Sequence, residues 1–218
     1  METFFLSRLL EWFENNRRDF PWRSNMIDPF ASVVTELLLQ RTKAENVASF
    51  YPIIENYYTS PEKILKRGKK KLIQDLKVLG LQDRRSDALL HIARHFSDQH
   101  GGNVPADEKS LMKLHGVGRY IARAVLCFAF DQPVSIVDSN VTRVFSRFFD
   151  MQSKGDNRRN KHYWKKGDDI ITLKPGEAPR INWAILDFAA LICKPRNPDC
   201  GELCPIHERC MHFAKISR

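Results

Sequence analysis

Apolar residues recur every three to four positions in ten stretches of this chain. These are Phe4–Phe13, Ala31–Leu39, Val47–Tyr58, Ser60–Leu65, Lys70–Val78, Arg84–Phe96, Lys109–Leu114, Arg119–Phe130, Asn140–Phe149 and Ile181–Ile192. That period predicts an amphipathic helix in each. Ser60-Pro61 supplies a capping hydroxyl and a proline for a first helical position, and Asp83 is the expected N-cap of the helix over 84–96. Period-two alternation is almost absent. Only Val134–Val137 reads as extended, and so short a stretch cannot make a sheet. Ser153–Lys166 is the most polar stretch and is expected to be an exposed connection or the start of a helix. The chain has no internal repeat and no low-complexity segment, so the predicted class is all-α, built from many short helices.

Composition narrows the function classes. The 218 residues are 43% hydrophobic and 28% charged, an ordinary globular balance that excludes a disordered tail protein. No window approaches the ~18 continuous apolar residues of a membrane span. The N-terminal stretch Met1–Glu14 is amphipathic and acid-bearing, unlike a signal peptide. The expectation is a protein of the cytoplasm or nucleoid with no membrane partner. Lys and Arg exceed Asp and Glu by 35 to 26, a formal net charge of +9. Such an excess points to a polyanionic partner, although a basic enzyme without nucleic acid has the same composition.

Four of the five cysteines, Cys193, Cys200, Cys204 and Cys210, fall within 18 residues. Cys127 sits in the apolar run Ala124–Phe130 and reads as a small buried hydrophobe. Without an export signal, the clustered four point to a thiolate metal site rather than a disulfide framework. Zinc and a [4Fe–4S] cluster are both open; the C-x6-C-x3-C-x5-C spacing suits a bulky cube better than the paired short knuckles usual for zinc.

Residues 109 to 143 carry the remaining chemistry. Leu114-His115-Gly116-Val117-Gly118-Arg119-Tyr120 separates two helical patterns. A G-x-G turn that opens a helix presents backbone N–H groups able to bind a phosphate, although many such turns are only turns. About twenty residues on comes Val137-Asp138-Ser139-Asn140-Val141-Thr142-Arg143. There Asp138 is either a plain N-cap or a carboxylate set for chemistry.

Together these segments resemble the helix-hairpin-helix DNA glycosylases, the endonuclease III/MutY superfamily. The family pattern L-x-G-V-G-x-x-T/A-A, followed about twenty residues on by V-D-x-N-V-x-R-V, is matched by Leu114, Gly116, Val117, Gly118, Ala122, Val137, Asp138, Asn140, Val141, Arg143 and Val144. The resemblance runs from about Phe13 to Cys210. It implies a six-helix barrel domain over 24–132, with the hairpin at 109–130. A second helical domain is formed from 1–23 and 133–218, with an iron–sulfur loop at 193–210. The family loop usually has two residues where this chain has Gly201-Glu202-Leu203 between Cys200 and Cys204.

Family members with lyase activity carry a Lys two residues beyond the G-V-G. Here that position is Tyr120, and neither Arg119 nor Ile121 can serve as the amine nucleophile. The resemblance therefore implies a monofunctional enzyme that uses water. Arg17-Arg18-Asp19-Phe20-Pro21-Trp22-Arg23 and Thr35–Thr42 resemble both the adenine and the thymine/uracil mismatch branches. Three features favour the mismatch branch: Gln40-Arg41-Thr42 in place of Q-Q-T, Gly80-Leu81-Gln82-Asp83-Arg84-Arg85 in place of G-L-G-Y-Y-x-R, and a chain that stops eight residues after Cys210. Adenine excision and a non-catalytic iron–sulfur DNA-binding protein are the alternatives.

The resemblance places Asp138, Glu36 and Tyr120 in catalysis. Asp138 stabilises positive charge on the sugar and orients water. Glu36 protonates or polarises the base, although a Glu at the start of an apolar helix can serve the helix dipole alone. Tyr120 lines the pocket, and Asn140 supports Asp138. Gln40 and Leu81 fill or flank the stack vacated by a flipped base. Gly116, Gly118 and Tyr120 N–H groups hold a phosphate, with a monovalent cation at the hairpin carbonyls. Arg41, Arg119, Lys194 and Arg196 reach other parts of the DNA, and the charge excess is assigned to these with Arg17, Arg18, Arg84, Arg85 and Arg143. The expected partner is double-stranded DNA with a mismatched or damaged base, bound by a monomer.

Overall fold

In a computed structural model, residues 1–23, 27–152 and 157–217 are described. Among them are eleven α-helices and no strand. The helices are α1 (Glu2–Asn16), α2 (Pro29–Leu39), α3 (Ala44–Tyr57), α4 (Pro61–Leu76), α5 (Gln82–His100), α6 (Glu108–Leu111), α7 (Arg119–Phe130), α8 (Ser139–Phe149), α9 (Lys161–Ile171), α10 (Ala178–Leu191) and α11 (Met211–Ile216). The all-α reading is met.

The chain divides into two compact units, Asp19–Phe130 and Met1–Arg18 with Asp131–Arg218. Ser24, where the sequence places a domain start, lies outside the described residues, as do Ser153–Asp156 of the polar stretch.

In the 19–130 unit, α2 packs against α7, and α4 and α5 pair along their lengths. Ser60 caps α4 by accepting from the Lys63 N–H, with Pro61 at the first helical position. The two apolar patterns at 60–65 and 70–78 join in α4 at Gly68. Its φ of 70° and ψ of 162° break the helix there, a conformation that favours glycine. Asp83 is not the N-cap of α5. Left-handed Leu81 takes that place and Asp83 falls in the first turn.

In the other unit, α1 packs on α10 and α9, and α8 packs on α10 and α11. Phe5, Phe145, Phe148 and Phe149 form its aromatic centre, with Phe5 and Phe148 ring centroids 5.0 Å apart. Residues 161–166, the end of the polar stretch, open α9, in which Tyr163, Trp164, Ile170 and Ile171 are buried. The sequence pattern did not reveal α11.

Residues 134–137 form no strand. Their polar groups are met by helices instead: Ser135 N–H and Oγ donate to Asp168 Oδ1 (3.1 and 2.8 Å). The Ile136 N–H donates to Asn182 Oδ1 (2.9 Å), and Asn182 Nδ2 donates to the Val134 carbonyl (3.0 Å). This brace delivers the chain to Asp138.

Candidate active site and nucleic-acid interface

The hairpin between α6 and α7 is pinned from below and open above. Asp107 caps α6 by accepting from the Ser110 N–H (2.8 Å). Leu114 and Val117 are buried, whereas His115, Gly116 and Gly118 are exposed. Gly116 has φ 82°, and a Cβ there would lie 3.6 Å from Leu37 Cδ2, so the glycine answers to backbone conformation and not to lack of space. The α7 helix starts at Arg119 directly after the turn, so the hairpin leads straight into its N-terminal end.

Two other segments meet the hairpin. Gln40 Nε2 donates to the Gly116 carbonyl (2.9 Å), which engages one of the carbonyls read from the sequence as a cation ligand. A single pocket is lined by Leu37, Gln40, Arg41, Leu81, Arg84 and His115, among others. Arg41 and Leu81, at the two tips, both have left-handed backbones, with φ of 56° and 53°. Leu81 is 50% exposed despite being apolar.

Glu36 is 5% exposed. The expectation that a helix dipole could account for it fails. Glu36 lies three residues before the C-terminal end of α2, not at its start, and there the dipole disfavours a carboxylate. Tyr120 is half-buried in the first turn of α7. Arg119 donates through Nε to Glu108 Oε1 (2.8 Å), and Arg123 donates to Glu108 Oε2 (3.2 Å).

In the other unit, Asp138 is the N-cap of α8. Its Oδ1 accepts the N–H groups of Asn140 and Val141, both at 2.8 Å. Its Oδ2 accepts from Asn140 Nδ2 at 2.7 Å. Asn140 Oδ1 in turn accepts from Arg143 Nη1 (2.9 Å), and Arg143 donates to the carbonyls of Cys193 and Ala189 (both 2.9 Å). A hydrogen-bonded chain thus runs from Asp138 to the first cysteine of the loop.

Cys193, Cys200, Cys204 and Cys210 line one pocket, walled by Val144, Phe148, Phe188 and Ile206. Arg147, which the sequence did not single out, reaches Cys193 Sγ (3.4 Å) and the Lys194 carbonyl (2.7 Å). Burial pushes the Cys204 thiol up to about 12. Burial, with the charges of the neighbouring cysteines, also raises Cys200 and Cys210. Four thiolates at this spot therefore call for a compensating cationic group. Among the described residues no three His, Cys, Asp or Glu side chains converge on a single ion. Four cysteine sulfurs in an apolar pocket are a donor set for either Zn²⁺ or an iron–sulfur cluster. Lys194 pairs with Asp199 (2.8 Å) and Arg196 is exposed.

The sequence assignment of the charge excess needs correction at three arginines. Arg18 donates from its N–H and Nε to Asp187 (2.8 and 2.7 Å), a carboxylate that is fully buried. Arg143 is spent on the carbonyls above. Arg85 is 7% exposed and bonded internally. These brace the fold.

Residues 34–168 match the family described as HhH-GPD superfamily base excision DNA repair protein. The chain belongs to this superfamily. A thymine/uracil-DNA glycosylase of Methanothermobacter thermautotrophicus is 37% identical over 98% of this chain and 95% of its own length. An adenine DNA glycosylase of Mycobacterium tuberculosis is 33% identical over 92% of this chain and 65% of its own length. A solved thermostable thymine-DNA glycosylase superposes with a TM-score of 0.91 at 35% identity, covering 98% of this chain and 97% of that one. Among the described residues no helix is long and apolar enough to cross a membrane.

Proposed function

We propose that the protein is a monofunctional DNA glycosylase that hydrolyses the N-glycosidic bond of thymine or uracil mispaired with guanine, acting as a monomer inside the cell. The observation that carries this reading is the full-length similarity to a thymine/uracil-DNA glycosylase, 37% over 98% of the chain, joined to a hairpin whose lyase position is Tyr120. Flipping the base out costs a few kcal/mol, less at a G·T or G·U pair than at a matched one. Breaking the glycosidic bond leaves positive charge on the sugar. Asp138 as carboxylate stabilises it and orients water; Asn140 fixes Asp138 Oδ2. Glu36 polarises or protonates the departing base, a role for which burial suits a carboxyl group. Tyr120 holds the sugar side, and the amides of Gly116, Gly118 and Tyr120 hold a phosphate, with a monovalent cation at the hairpin. Arg41, Arg119, Lys194 and Arg196 add contacts that read no sequence.

Cys193, Cys200, Cys204 and Cys210 would hold a [4Fe–4S] cluster, whose core offsets the thiolate charges and knits the 193–210 loop together. Adenine excision remains the second reading, favoured by the 33% identical adenine relative. The test incubates the protein with G·T, G·U and A·8-oxoguanine duplexes, then adds alkali. Strand cleavage of the first two only after alkali supports the proposal. Cleavage at A alone replaces it with the second reading. Cleavage before alkali overturns monofunctional chemistry, and no cleavage overturns the glycosylase.

A further inference from the structure

Arg85 is a buried cation whose partners are neutral. Nη1 donates to the carbonyls of Leu79 and Gly80, both at 2.9 Å. Nη2 donates to the carbonyls of Leu38 (3.1 Å) and Gln40 (2.9 Å) and to Thr42 Oγ1 (2.5 Å). Burying a guanidinium costs several kcal/mol when no carboxylate offsets it. Its hydrogen bonds must repay that, and no other side chain offers five N–H donors in a rigid fork.

The acceptors are not scattered. The Gln40 carbonyl belongs to the peptide unit that leads into Arg41, and the Gly80 carbonyl to the unit that leads into Leu81. Arg41 and Leu81 are two of the five non-glycine residues with positive φ among those described. A left-handed non-glycine residue costs about 1–2 kcal/mol and persists only where its surroundings over-determine it. One side chain therefore clamps both peptides that enter the strained tips. Through Gln40, whose amide reaches Gly116, the same clamp bears on the hairpin.

We infer that Arg85 is a positioning residue for base extrusion: its guanidinium locks segments 38–42 and 79–81 into one rigid frame. That frame presents Gln40 and Leu81 at a fixed separation. This rests on the reading of Gln40 and Leu81 as the tips that enter the base stack. Arg85 itself touches no DNA. Its loss changes how well the tips replace a flipped base, not how strongly the duplex is held.

The test compares wild type with Arg85→Lys and with Thr42→Val, which deletes one bond to the guanidinium at nearly constant volume. Each is measured for affinity to a G·T duplex by anisotropy. The rise in fluorescence of 2-aminopurine placed beside the mismatched thymine, and single-turnover excision, complete the set. Arg85→Lys is expected to lose the fluorescence rise and to excise about 10- to 100-fold more slowly, the scale of a misplacement near 1 Å. Affinity stays within about threefold, since the phosphate contacts that dominate it are intact. Thr42→Val follows the same pattern with a smaller loss, and it decides the matter if Arg85→Lys does not fold. An unchanged fluorescence rise, or affinity falling in step with excision, overturns the inference. A wild-type protein that excises nothing overturns the glycosylase reading instead.

Discussion

At the scale of single residues, Asp138 divides its labour between two oxygens. Oδ1 caps α8, and Oδ2 is held by Asn140. Asn caps a helix as well as Asp does. Asp138→Asn should therefore leave the melting temperature within a few degrees and DNA binding intact while abolishing excision. Asp138→Ala should lose about 1 kcal/mol of stability in addition. Excision by Asp138→Asn above a few per cent of wild type would remove Asp138 from catalysis. Glu36 makes the opposite case. Its carboxylate sits near the C-terminal end of α2, so Glu36→Gln should preserve stability or raise it by about 0.3–1 kcal/mol. Single-turnover rates on a G·T duplex should fall at the same time. A variant that is both less stable and fully active would make Glu36 a structural residue.

At the scale of elements, the packing of α9 positions Asp138. A Cβ on Gly167 would lie 2.6 Å from Ser135 Oγ and 2.7 Å from its Cβ. Gly167→Ala must push the 134–137 segment off Asp168 and Asn182. A loss of about 1–3 kcal/mol in urea unfolding is expected, with slower excision at unchanged affinity. Helix α4 carries a second device. Burial alone would raise the Asp75 carboxyl, but Arg67, Tyr58 and Lys71 outweigh it, and its pKa ends below the ordinary value. A carboxyl depressed in the folded state stabilises above its unfolded pKa and loses that contribution as the pH falls through the folded value. Urea midpoints of the wild type should therefore drop steeply below about pH 4, and Asp75→Asn should flatten that limb. Equal slopes for the two proteins would refute the coupling.

At the scale of the whole molecule, the charge excess is divided between fold and surface. Arg18, Arg85 and Arg143 are bonded internally, so under the proposed function the phosphate contacts fall to Arg17, Arg41, Arg84, Arg119, Lys194 and Arg196. Two of these already have carboxylate neighbours, Arg119 with Glu108 and Lys194 with Asp199. At about −0.9 per phosphate, log affinity should fall against log salt with a slope of roughly −4 to −5. A slope shallower than about −2 would mean that the excess serves something other than DNA. The cysteine loop makes a compositional prediction: the purified protein should carry about four iron atoms, as a [4Fe–4S] cluster requires, and Cys204→Ser should lose them. One zinc per chain would overturn the cluster.

Much of this was legible in the sequence because it is local. Helical periodicity placed α7 at Arg119–Phe130, since burial of one face repeats every 3.6 residues. The G-V-G turn, the capping Asp138 and the clustered cysteines are spacings of a few residues, and a few residues decide their chemistry. The sequence by itself also settled the all-α class and the superfamily. What it could not decide depends on partners far along the chain. Arg85, Arg18 and Arg143 looked like surface charge because a guanidinium reads the same exposed or buried. Only tertiary structure sets Arg85 against carbonyls 45 and 47 residues away, Arg18 against Asp187 169 residues on, and Arg143 against Cys193 50 residues on. Burial, not residue type, determines whether a charge binds a partner or braces the fold, and burial is a property of the whole packed chain.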